Sequence, residues 1–213
     1  MYLLSKEIIF PPVHLANKDG ILAIGGDLSV ERLQLAYKSG IFPWFNTGEP
    51  IIWYSPKERM VLFPKDLKIS KSMQQIIRKN KFKITFNQNF AEVISNCKTI
   101  YREGQGGTWI TNEMQEAYIK LHKLGIAKSV EVWENNELVG GLYGVDLGHI
   151  FCGESMFSKV SNTSKLAFIY LVKKLEKENY KLLDCQVYNT HLESLGADEI
   201  SRTEFLKYLK NKL

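Results

Sequence analysis

From Ser70 onward the apolar positions fall into blocks that switch between two periods, with cap and turn residues at the joins. "SKSMQQIIRKN" predicts a short capped helix, "FKITF" alternates as a strand and "NFAEVISNC" returns to helical spacing. "TWITNEMQEAYIKLHKLG" opens on Thr111 as an N-cap, places Met114, Tyr118 and Leu121 on one face and stops at Gly125. "KSVEVWE" and "ELVGGLYGVDLG" flank Asn135 and Asn136 and predict a hairpin, to which "HIFCGESMF" adds a third strand. "TSKLAFIYLVKKLEKEN" is a helix with Leu166, Ile169, Tyr170 and Leu175 on one side, "YKLLDCQVY" is a strand, and two short helices follow.

The first 60 residues differ. They are rich in turn formers, and one helix is legible among them, capped by Ser29, stapled by Leu28 and Leu33 and ended by Gly40. Phe42, Pro43, Trp44, Phe45, Trp53 and Tyr54 form a dense aromatic group beside it, either packing or a ligand wall. The expected organisation is a small N-terminal α+β domain over residues 1–60 and a larger α/β unit over 61–213.

Strands in series, followed by helix, strand and helices, describe an α/β sheet covered by helices. That order suits the acyl-CoA N-acyltransferase-like (GNAT-like) fold, a mixed sheet flanked by helices. Acetyl-CoA users of that fold carry a turn of the form Gln/Arg-x-x-Gly-x-Gly/Ala, whose N–H groups hold the pyrophosphate at a helix start. The corresponding turn here, "SKVSNTSK", has no glycine, so the fold is expected without that cofactor.

Charge changes the picture in one place. Nine basic residues (Lys57, Arg59, Lys65, Lys68, Lys71, Arg78, Lys79, Lys81, Lys83) face two acids between 57 and 83, a local excess larger than the net +5 of the 213-residue chain. This is either a solvated lysine-rich face or a footprint for a phosphate backbone. No apolar run of about 18 residues is present to span a membrane, and "MYLLSKEIIFPP" lacks the features of a signal peptide, so a cytoplasmic protein is expected. Cys97, Cys152 and Cys185 show no paired spacing and read as reduced thiols. The four histidines have no metal-ligand spacing, and no H-E-x-x-H, G-x-S-x-G or P-loop pattern occurs, so neither metal nor nucleotide cofactor is expected.

Two polar insertions in apolar strands remain. "FCGESMFS" carries Glu154, which periodicity alone reads as a strand-end acid in water. In "LLDCQVY", alternation puts Asp184 and Gln186 on one face and Leu183, Cys185 and Val187 on the other. Taken alone, that polar pair describes a solvated strand face as well as a site.

The blocks "GGDLS", "AYKSGIFPWF", "WYSP", "GTWIT", "LVGGLYGV", "FCGESMFS", "DCQV" and "SLGA", in this order, resemble the leucyl/phenylalanyl-tRNA–protein transferases over nearly the whole chain from Gly25 to Phe205. The resemblance implies an enzyme moving Leu or Phe, less readily Met, from aminoacyl-tRNA to the N-terminal Lys or Arg of a protein, in N-end rule degradation. It implies Gln186, oriented by Asp184, at the attacking amine, with Glu154 beside it as receptor for the cationic acceptor first and base second. It also implies an aminoacyl pocket walled by Leu142, Phe151, Phe168, Leu171, Leu175 and Leu183, with Trp44, Trp109 and Tyr118 near the tRNA 3′ end. Lys57, Arg59, Lys68, Lys71, Arg78, Lys79, Lys81 and Lys83 are then candidates for the tRNA backbone. A monomer without cofactor is expected. Two other readings are a non-catalytic tRNA-binding module and a small-molecule N-acyltransferase.

Overall fold

The computed structural model describes residues 2–100 and 109–210. The N-terminal part holds strands β1 (Tyr2–Leu4) and β2 (Ile21–Gly25), helix α1 (Val30–Lys38), and strands β3 (Phe42–Pro43) and β4 (Ile52–Tyr54). The chain continues through β5 (Glu58–Leu62), α2 (Lys71–Lys79), β6 (Lys83–Phe86), α3 (Phe90–Thr99), α4 (Asn112–Lys123), β7 (Ala127–Glu134), β8 (Glu137–Asp146) and β9 (Ile150–Ser158). It ends with α5 (Thr163–Lys177), β10 (Leu182–Gln186), α6 (Thr190–Glu193), β11 (Asp198–Ser201) and α7 (Arg202–Lys210). No helix among the described residues is long and apolar enough to cross a membrane.

Local chemistry explains the boundaries. The side chains of Ser29, Ser70 and Thr111 each accept a backbone N–H in the first turn of α1, α2 and α4, satisfying donors that a helix start leaves open. Asn135 and Asn136 both take positive φ, 50° and 67°, the conformation that a two-residue hairpin turn between β7 and β8 requires. The short strands β1 to β5 and β11 were not predicted. At two to five residues each they are too brief for an alternation to register against turn-rich surroundings.

Two sheets result. The smaller has the order β1-β2-β4-β3 and the larger β11-β5-β10-β9-β8-β7-β6. In the larger sheet β9 and β10 pair in parallel, and the other neighbours are antiparallel, so the sheet is mixed, in the acyltransferase-like manner expected. One face of the large sheet carries Phe90, Tyr118, Tyr143 and Phe205 in a cluster that also takes in Trp53 and Tyr37 from the N-terminal part. The opposite face is covered by α2 and α5, which bury Met73, Leu166, Phe168, Leu171 and Leu175. Burial on both faces accounts for the near-continuous apolar run of β8.

Three irregularities meet at one level of the sheet. The parallel pairing of β9 with β10 runs from Ile150–Leu182 to Cys152–Asp184 and then stops, so the two strands part beyond it. On the β8 side, Tyr143 pairs with Ser155 and Gly144 with Gly153, leaving Glu154 as the extra residue of a bulge. On the β5 side, Val61 pairs with Asp184 and Met60 with Gln186, leaving Cys185 as the extra residue of another. A β-carbon on Gly144 would lie 2.2 Å from the Cys152 carbonyl oxygen, so only glycine permits this close approach beside the first bulge. Bulges re-aim side chains and end pairing. Here they open the middle of a sheet.

Candidate active site

The gap between β9 and β10 is the floor of a cavity of about 310 Å³. Leu142, Met156, Phe168, Leu171, Leu183 and Leu192 give it apolar walls, Phe42, Trp44 and Trp109 add aromatic ones, and Glu154 and Gln186 supply polar atoms. Trp44 is 43% exposed and rests against Tyr54 at 5.8 Å, so a large ring is held at the edge of the cavity with much of its surface free.

The bulge at Glu154 explains why an acid sits within a buried strand. Along β9, Ile150 and Cys152 belong to the cluster on one face, yet so does Phe157, and Phe151 and Met156 belong to the other. The alternation slips by one residue at the bulge. Glu154 is therefore turned inward, and its Oε2 accepts a hydrogen bond from the Tyr118 hydroxyl at 2.9 Å. Tyr118 in turn meets the hydroxyl of Tyr37. Burial pushes the Glu154 carboxyl from the usual 4.5 up to about 8. The hydroxyls of Tyr37 and Tyr118 pull it back, Asp184 pushes it further up, and Arg59 opposes that. Burial also holds both tyrosine hydroxyls well above their ordinary value, with Glu154 adding to the effect, so they stay protonated as donors.

Gln186 reaches the same place by a different device. Its φ is +60°, in the left-handed region that a residue with a side chain enters at a cost of roughly 1–3 kcal/mol. Two contacts hold it there. Its backbone N–H donates to Asp184 Oδ1 at 3.0 Å, and its Nε2 donates to the Gly153 carbonyl that β10 no longer pairs, and to Glu154 Oε1 at 3.2 Å. Because both side-chain N–H groups face acceptors, the amide orientation is fixed, and Gln186 Oε1 accepts no hydrogen bond among the described residues. Asp184 is itself fully buried and clasped by Arg59, whose Nε and Nη2 donate to its two oxygens at 2.8 and 2.6 Å.

A polar pair at the edge of an apolar cavity suits many acyl transfers, and comparison with known proteins decides among them. Residues 61–210 match the model of the leucyl/phenylalanyl-tRNA protein transferase family, and residues 26–57 match that of its N-terminal domain. The leucyl/phenylalanyl-tRNA–protein transferase of Flavobacterium johnsoniae is 69% identical, with all of both chains covered. That of Flavobacterium psychrophilum is 62% identical over 99% of this chain and all of its own. The chain belongs to this family. Among solved structures, FemX superposes with a TM-score of 0.51 at 9% identity, over 81% of this chain and 66% of its own, a likeness of fold alone.

Within this transferase, the residues implied by resemblance do not all meet. Glu154, Gln186 and Asp184 come together, though not as strand alternation predicts. The bulge at Cys185 and the left-handed Gln186 join the pair through the Gln186 N–H, while the Asp184 side chain faces the core. Leu142, Phe168, Leu171 and Leu183 line the cavity, as do Trp44 and Trp109. Phe151 and Leu175 do not. They border a second cavity, of about 160 Å³, that shares only Leu171 with the first. Tyr118 is also corrected: it is wholly buried behind Glu154 and presents nothing to a tRNA end from there.

Among the basic residues, Lys57, Lys68, Lys71, Arg78, Lys79, Lys81 and Lys83 are exposed, with Lys81 paired to Glu134. Arg59 is 2% exposed and spent on Asp184, so it is no contact for a tRNA backbone. Sequence reading also passed over Met156 and Leu192 in the cavity wall and Tyr37 behind Glu154, and left Phe42, which lines the wall, open between packing and a ligand contact. For Arg59 a signal existed: a cation directly adjoining the apolar run Met60-Val61-Leu62 calls for a buried counter-charge.

The coenzyme A that acyl-CoA enzymes of this fold carry does not fit the corresponding helix start. The N–H groups opening α5 are engaged, Thr163 with the Val160 carbonyl at 3.2 Å and Ser164 with Ser158 Oγ at 2.8 Å. Thr163 Oγ1 is seated on the Val139 carbonyl at 2.9 Å, against Gly140, where a β-carbon would lie 2.4 Å from the Thr163 β-carbon. A pyrophosphate would have to displace this packing.

Proposed function

We propose that the chain transfers Leu or Phe, and less readily Met, from aminoacyl-tRNA to the N-terminal Lys or Arg of proteins, marking them for N-end rule degradation. The observation that carries this is the meeting of Gln186 and Glu154 at the edge of an apolar cavity. An aminoacyl ester is already activated. What remains is to hold ester and amine together, give the amine a place to leave its proton, and steady the charge on the carbonyl oxygen.

In this reading the aminoacyl side chain enters between Leu142, Phe168, Leu171 and Leu183, and the terminal adenosine stacks on Trp44 and Trp109. The acceptor nitrogen hydrogen-bonds to Gln186 Oε1 and attacks the ester carbonyl. A C–N bond forms, the bond from carbonyl carbon to ribose oxygen breaks, and the ammonium proton passes by way of Glu154 to the departing ribose hydroxyl. An α-ammonium has a pKa near 8 and the Glu154 carboxyl lies at about 8, so the first proton transfer is close to thermoneutral. The exposed lysines and Arg78 between 57 and 83 steer the tRNA backbone. A cytoplasmic monomer fits this role.

The test uses tRNA charged with labelled Leu or Phe and two model proteins, one starting with Arg and one with Ala. Label is expected on the Arg-starting protein alone and reduced to a small residual rate in Gln186→Ala. Charged tRNA that binds without transfer would favour a non-catalytic RNA-binding protein. Transfer from acyl-coenzyme A instead would revive the small-molecule reading.

Pocket walls give a further expectation. Leu171→Ala should join the cavity to the space behind it and raise Phe transfer relative to Leu by about 10-fold, within the roughly 1–3 kcal/mol that small changes of apolar fit command. Leu175→Trp, which faces the second cavity, should leave the ratio unchanged. Competition between Leu-tRNA and Phe-tRNA measures both; equal ratios in Leu171→Ala and the parent would remove Leu171 from the specificity wall.

A further inference from the structure

Arg59 makes more contacts than any ion pair needs. Its guanidinium is almost without solvent, its Nε and Nη2 form two parallel hydrogen bonds to Asp184, and its Nη1 donates to the Gly40 carbonyl at 3.3 Å. Two rings enclose it, Phe42 at 4.8 Å and Phe205 at 4.6 Å from the guanidinium carbon. These contacts come from four different places in the chain: α7, the turn after α1, β3 and β10.

We infer that Arg59 is a positioning residue of the transfer reaction, acting through Asp184 to keep Gln186 in its left-handed conformation. Asp184 Oδ1 is shared between Arg59 Nε and the Gln186 N–H, while Oδ2 is held by Arg59 Nη2. The two-point fork fixes the plane of the carboxylate, and that plane decides whether Oδ1 meets the Gln186 N–H. Freed from this bond, Gln186 relaxes toward an extended conformation, and its amide leaves the Gly153 carbonyl and Glu154. Phe42 links the same clamp to the cavity, because its ring both covers Arg59 and lines the wall.

The inference rests on the aminoacyl transfer proposed above, and the experiment keeps the two apart. Arg59→Lys keeps the charge but replaces the planar fork by a single point of attachment. The full-length parent should transfer labelled Leu to an Arg-starting protein; no transfer by the parent would overturn the reading itself. With a transferring parent, Arg59→Lys should lose about 10- to 100-fold in kcat, the size of a small misplacement of a reacting group, with KM for aminoacyl-tRNA and acceptor within about threefold. In a Gln186→Ala background the same substitution should cost less than about twofold, because the residue it positions is gone.

Phe205→Leu is the companion should the lysine variant fold poorly. It removes one ring of the clamp without leaving a buried charge unpaired, and should lower kcat by about threefold with KM unmoved. Circular dichroism gives the folded fraction to which every rate is normalised. Parent-like kcat in a folded Arg59→Lys, a loss confined to the KM for tRNA, or equal losses with and without Gln186 would each overturn the inference.

Discussion

Asp184→Ala is expected to melt roughly 6–20 °C below the parent and to show no measurable transfer at temperatures where it remains folded. Removing the carboxylate leaves the Arg59 guanidinium, 2% exposed, with no counter-charge. Breaking such a pair by deleting one partner costs about 3–5 kcal/mol, and in a chain of this size each kcal/mol moves the melting temperature by about 2–4 °C. Asp184→Asn separates the two consequences. Its side-chain oxygen can still accept the Gln186 N–H, so it should keep part of the activity while losing stability. Scanning calorimetry and labelled transfer, run on both variants, measure this. Equal melting temperatures for parent and Asp184→Ala would mean that the buried pair is not what holds β5 to β10.

Glu154→Gln is expected to lose about 10- to 100-fold in kcat/KM and, unusually for an active-site variant, to become more stable than the parent by a margin that grows as the pH rises. The carboxyl is raised from the usual 4.5 to about 8, first by burial. Between those values the native state keeps a proton that the unfolded chain has released, so the parent loses stability as pH climbs through this window. Glutamine has no such proton. The difference in melting temperature between variant and parent should therefore grow in the variant's favour from pH 5 to pH 8. Parent kcat/KM should rise through pH 8 as the carboxylate forms, and the variant should keep only the inflection that belongs to the acceptor amine. Two acceptor peptides whose α-amines differ in pKa distinguish the two ionisations. A pH profile that is the same in parent and variant would deny Glu154 any part in moving the proton.

Much of the catalytic fold was legible because its helices and long strands run for enough residues to show a period. Helices α1, α2 and α4 start at the serines and threonine that patterning picked out, and the β7–β8 turn falls on the two asparagines. The site was harder. Glu154, Asp184 and Gln186 could be named from the motifs that carry them, but not placed, because their arrangement depends on two bulges. A bulge adds one residue to one strand and leaves no mark in composition, so strict alternation put Asp184 and Gln186 side by side when they meet through a backbone N–H. Arg59 was misread for a related reason. It lies among lysines in sequence, and only the fold brings it to a carboxylate 125 residues away. Neither matched family segment, 26–57 or 61–210, includes it.

The clamp around Arg59 bears on how the protein folds during its synthesis. Phe42 and Arg59 leave the ribosome early, Asp184 and Gln186 much later, and Phe205 later still. N-terminal segments start to fold first as a chain emerges, but contacts so far apart in sequence must wait for their partners. Until Phe205 arrives, a nascent chain holds a cationic side chain that is only half enclosed. The enclosure of Arg59, drawn from β3, β5, β10 and α7, is thus completed only when the last helix of the chain has been made.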